Sequence, residues 1–277
     1  MRRTPTSRLS AYVRSPGMFT GFLVIILLVT ASYLLTSFFP DLEVEQNLRL
    51  VYGSIAACLL VAAMLYGIRQ RRVKLNWGRS NTWLQLHIYG GGLFLLLMLM
   101  HSGFKVPVGW ITWLLWTLSF WMTVSGLLGV ILQKWIPKLL SSGLNVEVIY
   151  ERIPDLVLDI RSKSEELVGE AELPLQDFYR QHLAVAFSAP KNRFIYFLDI
   201  TGGSQARLRQ FDYLRALLSR DGRASLNTLE SYYKTKLELD AHYTLQKALR
   251  WWLFLHAPLS LLLIVLLLLH LFAVVYY

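Results

Sequence analysis

The sequence predicts a mainly α, integral membrane protein: a bundle of five transmembrane helices with a small α+β cytoplasmic insertion between helices 4 and 5. Three observations carry that prediction. Uninterrupted apolar runs of about 20 residues recur, each long enough to cross a bilayer as a helix. Hydrophobic residues make up 55% of the 277, and they are concentrated in those runs rather than spread through the chain. Charge is segregated, with Lys and Arg in the links that flank the runs and a dense mixture of both signs between residues 134 and 250.

In chain order, residues 1–16 are short, basic and polar, with Arg2, Arg3, Arg8 and Arg14. The run 18–39 is longer than a leader's apolar core and lacks a small-x-small site after it, so it reads as a first span. Pro40 ends it, and Asp41, Glu43 and Glu45 read as an acidic hairpin. The second span covers 48–68 and stops at Arg69-Gln-Arg71-Arg72. The third covers 82–103, and a tight link through Lys105, Pro107 and Gly109 leads to the fourth, 110–135, closed by Pro137.

Residues 136–249 change character. Segments 145–150 and 193–200 read as strands, and 162–168, 175–187 and 205–219 as helices. From Ser225 a helical periodicity runs without a breaker towards the last apolar run, 251–277, so the fifth span is expected to continue a cytoplasmic helix. The expected division is 1–135 for membrane helices 1–4, 136–249 for the inserted domain and 250–277 for membrane helix 5.

The net charge of +10 does not point to nucleic acid, because residues 134–250 hold 17 basic and 15 acidic side chains. The remaining excess flanks the apolar runs. Basic clusters at 2–14 and 69–79 fall on one side and the acidic hairpin on the other, so the N-terminus and residues 136–249 are expected in the cytoplasm and the C-terminus outside a cytoplasmic (inner) membrane. The single cysteine, Cys58, excludes an internal disulfide, a Cys-x-x-Cys-His haem attachment and a cysteine-ligated iron–sulfur cluster within these residues. It reads as a small packing residue.

The chemistry lies in one spacing used twice. His87 and His101 are 14 residues apart in the third span, and His256 and His270 are 14 apart in the fifth. On a helix 14 residues rise roughly 21 Å and make nearly four turns, so each pair shares one face near opposite sides of a bilayer. The two spans run parallel, which sets His87 level with His256 near the cytoplasmic face and His101 level with His270 near the outer face. Paired imidazoles at two depths are the ligand set for the irons of two haem b groups, held without covalent attachment. Membrane histidines also serve ion pathways, but spans three and five contain no Asp or Glu.

Around them, Gly90-Gly91-Gly92 follows His87 by a turn, and Gly126 and Gly129 are a turn apart in span four. Close approach of a porphyrin and ordinary small-residue helix packing both account for these glycines. Arg79, with Arg69, Arg71, Arg72, Lys74 and Arg250, lies at the inner rim where propionates or topology would use a cation, and Lys105 is the basic candidate at the outer haem. His242 sits a further 14 residues before His256 but outside the bilayer, and His182 reads as a surface residue.

Leu86-His-Ile-Tyr-Gly90 and Met100-His-Ser-Gly103 resemble the B helix of the cytochrome b of quinol–cytochrome c reductases, with a glycine three after the first ligand and two after the second. Phe254-Leu-His256-Ala-Pro258 and His270-Leu-Phe resemble its D helix, although the family's proline falls slightly later. The resemblance covers spans two to five and implies a four-helix di-haem core in which Gly90 and Gly103 lie against the haems. The Pro-Glu-Trp-Tyr motif of the outer quinol site is absent, and about 110 residues separate the C and D positions. The histidine spacing is also similar to that of the ferric reductase and NADPH oxidase transmembrane domain. No Gly-rich dinucleotide fingerprint is present, since Thr201-Gly-Gly203 reads as a hairpin turn.

The expected function is therefore electron transfer across the membrane as the cytochrome b subunit of a larger redox complex, an electron-transfer part rather than a complete enzyme. Its expected partners are membrane lipid, a cytoplasmic flavin or iron–sulfur donor, an extracytoplasmic cytochrome c and, in one version, quinone. Two other readings stay open: a stand-alone transmembrane reductase of metal ions or quinone, and a non-redox membrane protein with structural histidines.

Overall fold

The computed structural model describes residues 16–38, 42–71, 80–143, 148–201 and 203–276. Every regular element among them is helical: α1 (Pro16–Phe38), α2 (Leu42–Arg71), α3 (Ser80–His101), α4 (Trp110–Gly143), α5 (Ile153–Gly169), α6 (Leu173–Phe178), α7 (Ala184–Phe187), α8 (Ser204–Arg215) and α9 (Arg220–Tyr276). A π-helical turn, Tyr179–Leu183, joins α6 to α7, and short 3-10 turns occur at Tyr150–Arg152 and Phe194–Phe197. Five helices, α1 to α4 and α9, are long and apolar enough to cross a membrane. The chain forms two compact units, Met1–Ile131 with Leu253–Tyr277, and Leu132–Trp252.

In the first unit, Leu93, Leu97 and Met100 line one face of α3 at helical spacing. They pack with Tyr52 and Ala56 of α2, Leu118 of α4 and Leu263 and Leu266 of α9. The opposite faces stay apolar yet exposed, as at Leu27, Leu28 and Leu127, which suits a lipid surround in which only the backbone needs internal hydrogen bonds. Glu43 and Glu45 do not form a hairpin. They occupy the first turn of α2, where carboxylates complement the helix dipole; Pro40 and Asp41 lie outside the described residues. Cys58 faces outward from α2 rather than into the packing. The turn after α3 takes positive φ at Gly103 (63°), Phe104 (56°) and Gly109 (102°), a reversal that glycine makes without strain.

The second unit is all helical among the described residues, so the expected α+β insertion is corrected to an α one. The segment read as a strand at 193–200 is extended only at Arg193 and then closes into a 3-10 turn. Phe194 and Phe197 are in ring contact, tilted with centroids 5.5 Å apart, and residues three apart meet on a turn but point to opposite faces of a strand. Of 145–150, residues 145–147 lie outside the described ones, and Tyr150 opens a 3-10 turn. The helices expected at 162–168, 175–187 and 205–219 are present as α5, α6 with α7, and α8. Gly203 (φ 68°) leads into α8 instead of turning a hairpin.

Ile153, Val157, Ile160 and Val168 form the buried face of α5. Leu175, Tyr179, Leu183 and Phe187 recur every four residues, a spacing that drifts off one face of an α-helix by roughly 40° per step. The wider π turn within that run absorbs the drift, and all four stay buried. Pro137, expected to close the fourth span, lies inside α4. Proline removes one ladder donor, and the adjoining Ile136 is fully buried. As expected, the last apolar run continues a helix that begins well before it, α9.

Candidate functional site

The site lies in the first unit, where α3 carries His87 and His101 and α9 carries His256 and His270. α2 and α3 pack closely along their length, whereas α3 and α9 hardly meet backbone to backbone. Side chains therefore fill the space between the histidine helices. His101 and His270 make an edge contact, with ring centroids 6.3 Å apart and planes at 85°. His256 lies within electrostatic range of His87, as His270 does of His101. These are the level pairs of a parallel arrangement.

Three of the four rings are held through Nδ1. His101 Nδ1 donates to the Arg49 carbonyl at 2.8 Å, and His87 Nδ1 to the Ala63 carbonyl at 3.2 Å. A carbonyl can only accept, so each bond fixes the tautomer that leaves the Nε2 lone pair unprotonated. Ser125 Oγ of α4 is hydrogen-bonded with His256 Nδ1 at 3.0 Å. Tyr66 of α2 lies against His87, with centroids 5.1 Å apart.

Those donors suit a metal. A metal–imidazole nitrogen bond is about 2 Å and the nitrogen lies about 1 Å from its ring centre, so two imidazoles on opposite sides of one metal have centroids about 6 Å apart. The His101–His270 pair meets that separation. Among the described residues no group of three or more His, Cys, Asp or Glu could hold a bare ion. A pair of imidazoles suits a metal whose other ligands come with it, as in a porphyrin.

The glycines divide. A Cβ on Gly126 would stand 3.8 Å from His256 Cε1, so this residue borders an imidazole. A Cβ on Gly90 would meet Leu59 of α2 at 3.8 Å, which places that glycine at a helix contact. At Gly103 the added atom would meet the Arg49 guanidinium at 2.7 Å. Lys105 is exposed in the turn after α3, and Arg79 lies outside the described residues. His242 is buried in the second unit and hydrogen-bonded with Gln246, while His182 lies against Phe178.

Gly53, Arg49, Ser125 and Tyr66 were not among the candidates read from sequence. Gly53 is the closest fit: its Cβ would lie 2.6 Å from His101 Nδ1. Arg49 carries the only sequence signal, a charge at the start of the second apolar run, and it pairs with Glu45 at 2.6 Å. Both line a cavity of about 230 Å³ with Tyr33, Thr36, Ser37 and Tyr52. Compared with known protein families, with curated proteins and with solved structures, the chain matches none.

Proposed function

We propose that the chain is a membrane di-haem cytochrome b subunit that conducts electrons between the two sides of a bilayer. The observation that carries this reading is the His101–His270 pair: ring centroids 6.3 Å apart, with the His101 Nδ1 proton committed to a carbonyl and Nε2 left as a ligand. His87 and His256 supply the second pair, steadied by Ala63 and Ser125. When bound, haem would supply the one-electron redox chemistry, and His87, His101, His256 and His270 would hold it. The chain would supply the histidine ligands, their tautomers and orientation, and an apolar surround for the centres.

In this reading the N-terminus and the 132–252 unit are cytoplasmic, a flavin or iron–sulfur protein delivers electrons there, and a cytochrome c or quinone takes them outside. A second reading, a stand-alone reductase of quinone or metal ions, is favoured by one feature. The cavity lined by Tyr33, Glu45 and Arg49 adjoins the carbonyl that holds His101.

The test is a dithionite-reduced minus oxidised spectrum of the purified chain, with haem counted per polypeptide. Two b-type haems are expected, one lost in His87→Leu and the other in His270→Leu. A well-folded chain without haem, made under ample haem supply, refutes both redox readings.

A further inference from the structure

The second unit exposes an aromatic turn that its own core does not explain. Tyr196 is fully buried and anchors the 3-10 turn, while Phe194 and Leu198 on either side are 75% and 77% exposed, and Ile195 is 42% exposed. The turn is held from behind: Asp240 Oδ1 accepts the Lys191 N–H at 2.7 Å, and Thr244 Oγ1 accepts the Arg193 N–H at 3.2 Å. A fixed turn that presents three large apolar side chains outward is built to meet an apolar surface.

Two neighbours identify that surface. Trp135 of α4 packs on Phe197, with centroids 6.2 Å apart, and Trp251 of α9 lines one cavity with Phe194 and Phe197. Trp135 stands at the end of the fourth apolar run and Trp251 at the start of the fifth, the depth at which tryptophan marks a membrane–water boundary. The aromatic turn is thus continuous with the ends of two membrane helices. The cavity, about 210 Å³, is completed by Asn192, Thr244, Lys247 and Ala248, with no carboxylate on its wall. Lys247 lies over the Tyr243 ring, 5.2 Å from its centroid, and has no carboxylate partner among the described residues. Lys134 and Lys138 of α4 are exposed and likewise without one among those residues.

We propose that this face docks on the bilayer and holds one anionic phospholipid. Phe194, Ile195 and Leu198 enter the headgroup–acyl boundary, and the lipid phosphate sits in the cavity against Lys247, with the Asn192 amide as a further donor. The inference needs only the membrane spans and is independent of haem.

The experiment reconstitutes the full chain in nanodiscs of equal parts phosphatidylcholine and phosphatidylglycerol and counts co-retained lipid by native mass spectrometry. Wild type and Lys247→Arg are expected to retain phosphatidylglycerol in roughly fivefold preference, the factor for one lysine beside an anionic headgroup. Lys247→Glu is expected to lose the preference with its helix content unchanged. A spin label on Leu198→Cys, in a Cys58→Ser background, should collide more often with oxygen than with a water-soluble nickel chelate. Equal retention of both lipids by wild type, an unchanged preference in Lys247→Glu, or a label as open to the chelate as one in water overturns the proposal.

Discussion

Replacing Gly53 with alanine sets two effects of different size against each other. In the interior of α2, alanine favours the helix by about 1 kcal/mol over glycine. At the site, the new methyl would lie 2.6 Å from His101 Nδ1 and 2.8 Å from Cε1. Ordinary contact needs about 3.5 Å, so the ring must retreat by roughly 0.9 Å. Arg49 precedes Gly53 by one turn of the same helix, so a ring pushed off α2 also leaves the Arg49 carbonyl. The 2.8 Å bond then passes beyond hydrogen-bond range.

Losing a partner that orients a metal-bound histidine weakens binding about 10- to 100-fold, or roughly 1.4–2.7 kcal/mol. The site effect exceeds the helix gain. On the proposed di-haem reading, Gly53→Ala should therefore fold at least as well as wild type while the haem at His101 and His270 titrates out at limiting haem supply. Gly90→Ala, whose methyl makes an ordinary 3.8 Å contact with Leu59, should keep both haems. Haem per chain and thermal unfolding of the two variants in detergent provide the check. Full haem content and an unchanged outer-haem potential in Gly53→Ala would refute the reasoning.

Other expectations follow from single contacts. On the same di-haem reading, Ser125→Ala removes a partner of His256 Nδ1 and should lower haem affinity at His87 and His256 about 10-fold, with the other haem untouched, as haem titration would show. Lys236 and Asp240 form an ion pair at 2.6 Å with both side chains essentially inaccessible; burial lowers the lysine pKa and raises that of the aspartate. Lys236→Met strands a buried carboxylate and should cost about 3–5 kcal/mol, whereas Lys236→Met with Asp240→Asn should recover most of it, read as thermal midpoints. Asp199 accepts hydrogen bonds from the Thr201 hydroxyl and the Gly203 N–H, which hold its carboxyl below the usual range. Its contribution is complete above the ordinary carboxylate value of about 4 and fades as pH falls through the lowered one. The drop in thermal midpoint between pH 5 and pH 3 should therefore be smaller in Asp199→Asn.

The membrane spans were legible because length and apolarity are one-dimensional properties. The histidine register was legible because 14 residues bring a helix back almost to the same face. The rotation of each span about its own axis was not. Exposed Leu127 and core-facing Leu118 are equally apolar, so hydropathy carries no sign of which side of α2 or α4 meets an imidazole. That is why Gly53 and Ser125 emerged only with the fold. In the second unit, Phe-Ile-Tyr-Phe-Leu has the composition of a strand, and a single inward tyrosine with flanking exposed residues is a pattern shared by strands and tight turns. The contact of the Phe194 ring with Phe197 distinguishes them, and no composition encodes it.

Fourteen residues are also two heptads. A straight α-helix falls roughly 40° short of four full turns over that distance, so two straight helices that align one imidazole pair skew the other. Both pairs oppose squarely when the two helices wind about each other with a left-handed twist, at 3.5 residues per turn. The separation between the two sites is then a quantised ruler. One inserted residue between His256 and His270 swings the distal imidazole by about 100° and destroys its pair. A whole heptad inserted into both helices preserves facing and lengthens the step by about 10 Å. On the di-haem reading, the distance an electron would travel between the sites is therefore set by a count of heptads, not by any side chain lying between them.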